Sequence, residues 1–375
     1  MIIEGNLFSG GVIMIETREL EREEYEQALQ LALNVFLECN AADCNDVGIC
    51  RYRQILRDPE YLDCLRVYGA YDDGGQIGVI ATRSSGTHIA QFYVDRDHQG
   101  HGAGRILFDK VLADNSSGYI TVDSSSYAVP IYSALGFSVT SAGKKTEGLR
   151  STPMERIALH HTEEGAGRPL ILLHGNGEDG TYFREQMVPL SAGRRVIAVD
   201  TRGHGRSPRG EADFTIRQFA EDLHCFLKIM RIDKADILGF SDGANIAMRF
   251  AMMYPDMVGA MVVDGGNLDP SGVKPIIQVP VEIGYMAARA LHMRKKAEIL
   301  GLMVNDPNIK PAELLSIRAK TLVVAGTGDL IKREHTERIA GSIPGAELKF
   351  IEGDHFVARK NPREFNRAVI EFLNK

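Results

Sequence analysis

ADILGFSDGANIAMRFAMM, residues 235–253, passes from a short apolar run into a helical run, with one serine, Ser241, at the junction. An apolar run of about six residues bounded by a turn is the signature of a strand buried on both faces of a parallel sheet. Gly239 and Gly243 flank the serine. Small neighbours are what a sharp strand-to-helix turn needs if a side-chain oxygen is to stand clear above the sheet. The placement of the G-x-S-x-G string at such a turn, more than the string itself, points to a nucleophile.

Working outward, runs of the same kind recur at 169–173 (PLILL), 195–199 (RVIAV), 259–264 (GAMVVD), 321–326 (TLVVAG) and 347–351 (ELKFI). Helical stretches separate them. Residues 215–230 open with Thr215-x-x-Gln218, a capping box, and set Phe219, Leu223, Phe226 and Met230 on one face. Strands alternating with helices predict a doubly wound α/β sheet. A serine hydroxyl needs a base to take its proton and an acid to hold that base in the right tautomer. His355, in IEGDHF after the last run, is the candidate base, and Asp329, in AGTGDL after the preceding run, is the candidate acid. Both follow strand C-termini, the edge where open α/β sheets bind ligands. Asp264, in VVDGGN, is a rival acid, and Asp354 is read as a loop residue.

These features, together with His174-Gly175-Asn176-Gly177 and Asp200-Thr201-Arg202-Gly203-His204-Gly205-Arg206-Ser207, resemble the α/β-hydrolase family over residues 157–375. The resemblance implies the chain order Ser, Asp, His and an oxyanion hole built from the main-chain N–H groups of Asn176 and Asp242. It gives His174 and His204 loop-shaping roles. A serine at the turn sets aside the branches of the family that attack with aspartate, dehalogenases and epoxide hydrolases, and leaves acyl transfer to water. Residues 267–313 are expected to form a small cap, whose apolar stretch PIIQVPVEIGYMAARALHM (275–293) is read as helices packing on the sheet in preference to an acyl pocket.

The first part of the chain has a different pattern. Residues 19–38 place Tyr25, Ala28, Leu31, Ala32, Val35 and Phe36 on one helical stripe. A strand pair turning at Asp73-Gly74, a strand AQFYV (90–94), a helix (105–114) and a strand GYITV (118–122) follow. Gln99-Gly100-His101-Gly102-Ala103-Gly104 lies between strand and helix. There it offers unpaired main-chain N–H groups and a positive helix end, which suit a diphosphate. It fits the dinucleotide fingerprint poorly. With Tyr132-x-x-Leu135-Gly136-Phe137 it resembles the GNAT acetyltransferase family over residues 14–155. That resemblance implies acetyl-CoA as acetyl donor, with its diphosphate on Gln99 to Gly104, its pantetheine arm along the strand at Val94, and Tyr132 protonating the departing thiolate. Tyr132 as a core aromatic is the competing reading, and Glu147 or Asp123 are candidates toward an amine.

Composition limits the rest. The chain has 375 residues, 44% hydrophobic and 25% charged, the profile of a globular protein of two domains. The net charge of −7 is uneven: residues 1–155 carry 13 basic against 22 acidic side chains, and 156–375 carry 30 against 28. An acidic first part argues against a nucleic-acid partner and mildly favours a cationic amine, although a solvated acidic surface is the preferred reading. Five cysteines without a C-x-x-C and no apolar run of spanning length point to a cytoplasmic enzyme of small-molecule substrates, with no metal and no membrane. Residues 1–13, before Met14, fit no element and are read either as an extension or as lying upstream of the native start. The expectation is a bifunctional enzyme: a GNAT-like mixed α/β N-acetyltransferase domain (14–155) fused to a doubly wound serine hydrolase (156–375) of esters or amides. The alternative is a hydrolase whose first domain senses acetyl-CoA or acts as a scaffold.

Overall fold

A computed structural model describes residues 15–39 and 44–375; the stretch 1–13 lies outside them. The chain divides into two compact units, one ending at Arg156 and one running Ile157–Lys375.

The first unit holds β1 (Glu16–Glu19), α1 (Tyr25–Cys39), α2 (Asp46–Ile55), α3 (Pro59–Asp63), β2 (Arg66–Asp72), β3 (Gly75–Arg83) and β4 (His88–Val94). It continues with α4 (Ala103–Asp114), β5 (Tyr119–Ser124), α5 (Val129–Ala134), β6 (Ser138–Val139), β7 (Lys144–Thr146) and β8 (Leu149–Ile157). The strands form one sheet in the order β1-β2-β3-β4-β5-β8-β6, with β7 paired to β8. Helix α1 buries Tyr25, Ala28, Leu29, Ala32, Val35 and Phe36, so Leu29 takes the place expected of Leu31. Strands β4 and β5 are parallel but pair only at His88 with Thr121 and Ile89 with Val122. Beyond Ile89 they diverge.

The second unit opens with β9 (His161–Glu164), β10 (Arg168–Leu173), α6 (Arg184–Leu190), β11 (Arg194–Val199), α7 (Ile216–Ile229), β12 (Ala235–Phe240), α8 (Asp242–Met253) and β13 (Val258–Asp264). Then come α9 (Pro275–Ala290), α10 (Arg294–Asn305), β14 (Lys320–Gly326), α11 (Arg333–Ser342), β15 (Glu347–Ile351), α12 (Val357–Lys360) and α13 (Pro362–Leu373). The sheet order is β15-β14-β13-β12-β10-β11-β9. All neighbours run parallel except the edge strand β9, antiparallel to β11. The order reverses around β10, so the crevice at the C-terminal ends of β10 and β12 is the topological switch point. Thr215 caps α7 by accepting from the Gln218 N–H at 3.1 Å, while the Gln218 amide turns to Asp222 instead of closing a capping box.

The apolar run of the cap does not pack on the sheet. Helix α9 buries only Gln278 and Ala288 and leaves Ile276 80% exposed, with Val279, Ile283 and Met286 also at the surface. The expected packing on the sheet fails because an apolar composition does not say which side of a helix meets the protein. Among the described residues, no helix is long and apolar enough to cross a membrane.

Two glycines test the packing. A Cβ on Gly243 would collide with the main chain of Leu173 and His174, whereas one on Gly341, in α11, meets nothing within 4 Å. Gly243→Ala should lower stability by about 1–3 kcal/mol and Gly341→Ala should raise it by about 0.5–1 kcal/mol, both read from urea midpoints.

Candidate functional site

In the second unit, β12 ends and α8 begins with Ser241 between them at φ 53°, ψ −118°. A side chain at positive φ costs about 1–3 kcal/mol unless its surroundings hold it there. The Ser241 N–H donates to the Asp264 carbonyl at 2.8 Å, and the Ser241 carbonyl accepts from Ala244 N–H at 2.9 Å. Gly239 faces the Gly243 main chain so closely that a Cβ at Gly239 has no room. The two glycines therefore let helix, turn and strand meet.

His355 follows β15 and is buried. Its Nε2 lies 3.1 Å from Ser241 Oγ, and its Nδ1 lies 2.7 Å from Asp329 Oδ1. A carboxylate only accepts, so Nδ1–H donates to Asp329 and Nε2 is left to accept from the serine hydroxyl. Asp329 also accepts from Ile331 N–H at 2.9 Å and Gly326 N–H at 3.3 Å, which fix the carboxyl in place. Gly265, at φ 62°, gives the imidazole room, since a Cβ there would stand 2.8 Å from His355 Cε1. Nothing in the sequence pattern singled it out.

Asp264 separates from Asp329 on chemical grounds. It is 0% exposed, neither carboxyl oxygen has a hydrogen-bond partner, and burial followed by the neighbouring Asp329 charge holds its pKa well above the usual carboxylate range. A carboxyl whose charged form is disfavoured, while His355 Nδ1 donates to Asp329, is not the group that stabilises an imidazolium. His174 accepts from Thr201 N–H at 3.0 Å through Nε2 and has Nδ1 2.8 Å from the Gly175 carbonyl; burial lowers its pKa to about 4. His204 sits against Thr201 Oγ1 and the Arg202 carbonyl. Both stitch loops together. Asp354 accepts from Phe356 N–H and pairs with Lys360, a loop role.

Asn176 and Asp242 bracket the serine from the loop after β10 and from the first position of α8. Among the described residues neither main-chain N–H is taken by a protein acceptor. The Asn176 side chain donates from Nδ2 to the Ile299 carbonyl of α10 at 2.8 Å, tying this loop to that helix. The Asp242 side chain is 8% exposed, and its Oδ1 accepts from Asn245 Nδ2 at 3.3 Å.

In the first unit a cavity of about 430 Å³ opens where β4 and β5 diverge. Val94, Gln99, Gly100, Gly102, Gly104 and Tyr132 line it. Gly100 and Gly102 stand at φ 80° and 94° with open space where a Cβ would point, and α4 starts after Gly102 without a side-chain cap. Its first N–H groups are thus free for an anion. Gln99 Nε2 donates to the Val94 carbonyl at 3.0 Å and fixes the loop against the strand. His101 and Ala103 do not line the cavity: His101 is exposed and Ala103 is buried in the core. Only their main chains belong to the loop. Tyr132 is buried beside Phe92 and Phe137, and desolvation pushes its pKa up, so its hydroxyl is protonated. Asp123 lines the cavity and pairs with Lys144 at 3.1 Å, whereas Glu147 pairs with Arg51 and does not line it. The open glycine cradle, free helix end and diverging strands fit a long diphosphate-bearing thioester such as acetyl-CoA.

Comparison with known proteins agrees with this division. A family described as alpha/beta hydrolase fold matches residues 168–281, and one described as acetyltransferase (GNAT) domain matches residues 52–158. An uncharacterized protein of Mycobacterium tuberculosis is 31% identical over 260 residues, 56% of this chain and 76% of the relative. A 2-hydroxy-6-oxononadienedioate/2-hydroxy-6-oxononatrienedioate hydrolase of Paraburkholderia phymatum is 28% identical, covering 53% of this chain and 69% of that protein. The enol-lactonase from Burkholderia xenovorans LB400 superposes with a TM-score of 0.51 at 21% identity, over 58% of this chain and 96% of its own, a likeness of fold. The chain belongs to the α/β-hydrolase fold family through its second unit and carries a GNAT acetyltransferase domain ahead of it.

Proposed function

We propose that the chain is a two-site enzyme: a serine hydrolase that cleaves a carboxylic ester or amide through an acyl-enzyme, joined to an acetyl-CoA-dependent N-acetyltransferase. The observation that carries the first half is the continuous chain Ser241 Oγ, His355, Asp329, with contacts of 3.1 and 2.7 Å. As Ser241 Oγ attacks the carbonyl carbon, its proton passes to His355 Nε2. The main-chain N–H groups of Asn176 and Asp242 take the negative oxygen, where losing one donor typically costs about 10²–10³ in rate. The imidazolium returns its proton to the departing alcohol or amine. His355 then takes a proton from water, whose oxygen attacks the acyl-enzyme, releases the acid and restores the serine. Asp329 holds Nδ1–H throughout and stabilises the imidazolium.

In the first unit, acetyl-CoA when bound supplies an activated acetyl thioester. The main chain from Gly100 to Gly104 would hold its diphosphate, the free edge of β4 at Val94 its pantetheine arm, and Tyr132 would donate its hydroxyl proton toward the thiolate. Tyr132 lines the cavity wall and carries its hydroxyl proton there, since burial pushes its pKa up.

Ser241→Ala should lower hydrolysis of p-nitrophenyl esters by at least about 10⁴-fold while thiol release from acetyl-CoA with an amine panel stays at its original rate. Loss of both activities, or of neither, would sink the two-site reading.

The choice of acid has its own test. Asp329→Asn should cost about 10⁴ in kcat, because it leaves the wrong tautomer, while Asp264→Asn should cost less than about tenfold.

Asp264 also predicts a pH effect. Its folded pKa is raised, so its contribution to stability is complete below the unfolded pKa and is lost as pH rises through the folded value. Between about pH 5 and pH 9 the melting temperature of Asp264→Asn should therefore fall less than that of the original protein.

A further inference from the structure

The Asp242 carboxyl has no partner adequate to its charge. Its Oδ1 has one long hydrogen bond from Asn245, and its Oδ2 has none, although the side chain is more than nine-tenths buried. The Asn176 amide hydrogen-bonds this carboxyl and donates from Nδ2 to the Ile299 carbonyl at 2.8 Å, while its own Oδ1 has no donor among the described residues. The other titratable neighbours are His355 and the carboxyl of Asp306, which adds negative potential. Burial, then Asp306, raise the Asp242 pKa to about 6, so at neutral pH the group is mostly ionised. A buried carboxylate oxygen and an amide oxygen that both lack donors are costly to maintain, and a cation with several N–H groups satisfies both.

We propose that Asp242 and Asn176 form a subsite for a protonated amine of the substrate, so that the hydrolase acts on esters or amides of amine-bearing acids. This rests on the reading of Ser241 as the nucleophile and names its substrate class. Asp242 acts twice. Its main-chain N–H faces the carbonyl oxygen and its carboxylate faces the ammonium, so the two groups are held a few ångströms apart, a span that suits an amine on the α- or β-carbon of the acyl part. Asn176, which meets the carboxylate, is also bonded to the Ile299 carbonyl of α10, so an amine held here bears on α10.

Two probes differing only in the amine, the benzyl esters of alanine and of propionic acid, decide the matter. In calorimetry on Ser241→Ala, the alanine ester should bind at least about tenfold more tightly, and adding Asp242→Asn or, as a second variant, Asp242→Ala should bring the two affinities together. Equal affinities in Ser241→Ala, or a preference that survives both Asp242 changes, overturn the proposal. Turnover of the same esters by the original protein separates this from the broader reading. Cleavage of both with no preference overturns the amine subsite and leaves the serine hydrolase standing. Failure to cleave either ester counts against the hydrolase reading, and the binding ratio still decides the subsite.

Discussion

Helix α8 starts so close to the end of β10 that the main chain at Gly243 lies against the Leu173 carbonyl, and most of the second unit is arranged around that approach. It forces the turn at Ser241 into a positive φ, aims the serine oxygen above the sheet, and exposes the first N–H of α8 next to the loop after β10. The neighbouring strands supply what the serine needs. The Asp264 carbonyl anchors its N–H, the loop after β14 carries Asp329, and the loop after β15 carries His355. Contact between a helix and a strand with no side chain between them is what turns three residues distant in sequence into one hydrogen-bonded chain.

The polar interior around this centre is graded. Arg202 and Asp222, both fully buried, form a bidentate pair at 2.7 Å that holds the loop after β11 to α7. Such a pair has its charge answered in place. Asp329 is answered by main-chain donors and an imidazole, Asp242 by the amides of Asn245 and Asn176, and Asp264 by no donor among the described residues, which disfavours its charged form. Carboxyls of one chemical type thus serve as clamp, orienter and buried filler within one unit. The difference lies in the donors that surround them.

Much of this was legible in the sequence because it is written in local pattern. Six apolar runs became six parallel strands, and the order of Ser241, Asp329 and His355 followed from their places after those strands. The edge strand β9 was not legible, since HTEE has no apolar signal and is held by main-chain pairing to β11. Asp264 and Asp329 both follow apolar runs, and it takes the structure to tell them apart, by the 2.7 Å contact of Asp329 to His355 and the unanswered carboxyl of Asp264. The burial of Leu29 in place of Leu31 and the outward face of α9 depend on what stands opposite, which a single chain does not spell out. The orphaned oxygen of Asp242 was hidden for the same reason: a missing partner has no sequence signature.

The divergence of β4 and β5 has a consequence for the interior of the first unit. The cavity wall takes Val35 and Cys39 from α1 on one face of the sheet and Gly104 and Arg105 from α4 on the other, so the gap is a passage through the sheet's thickness. Whatever lies in it is met from both cores of the unit at once, so two cores that the sheet keeps apart share one wall there.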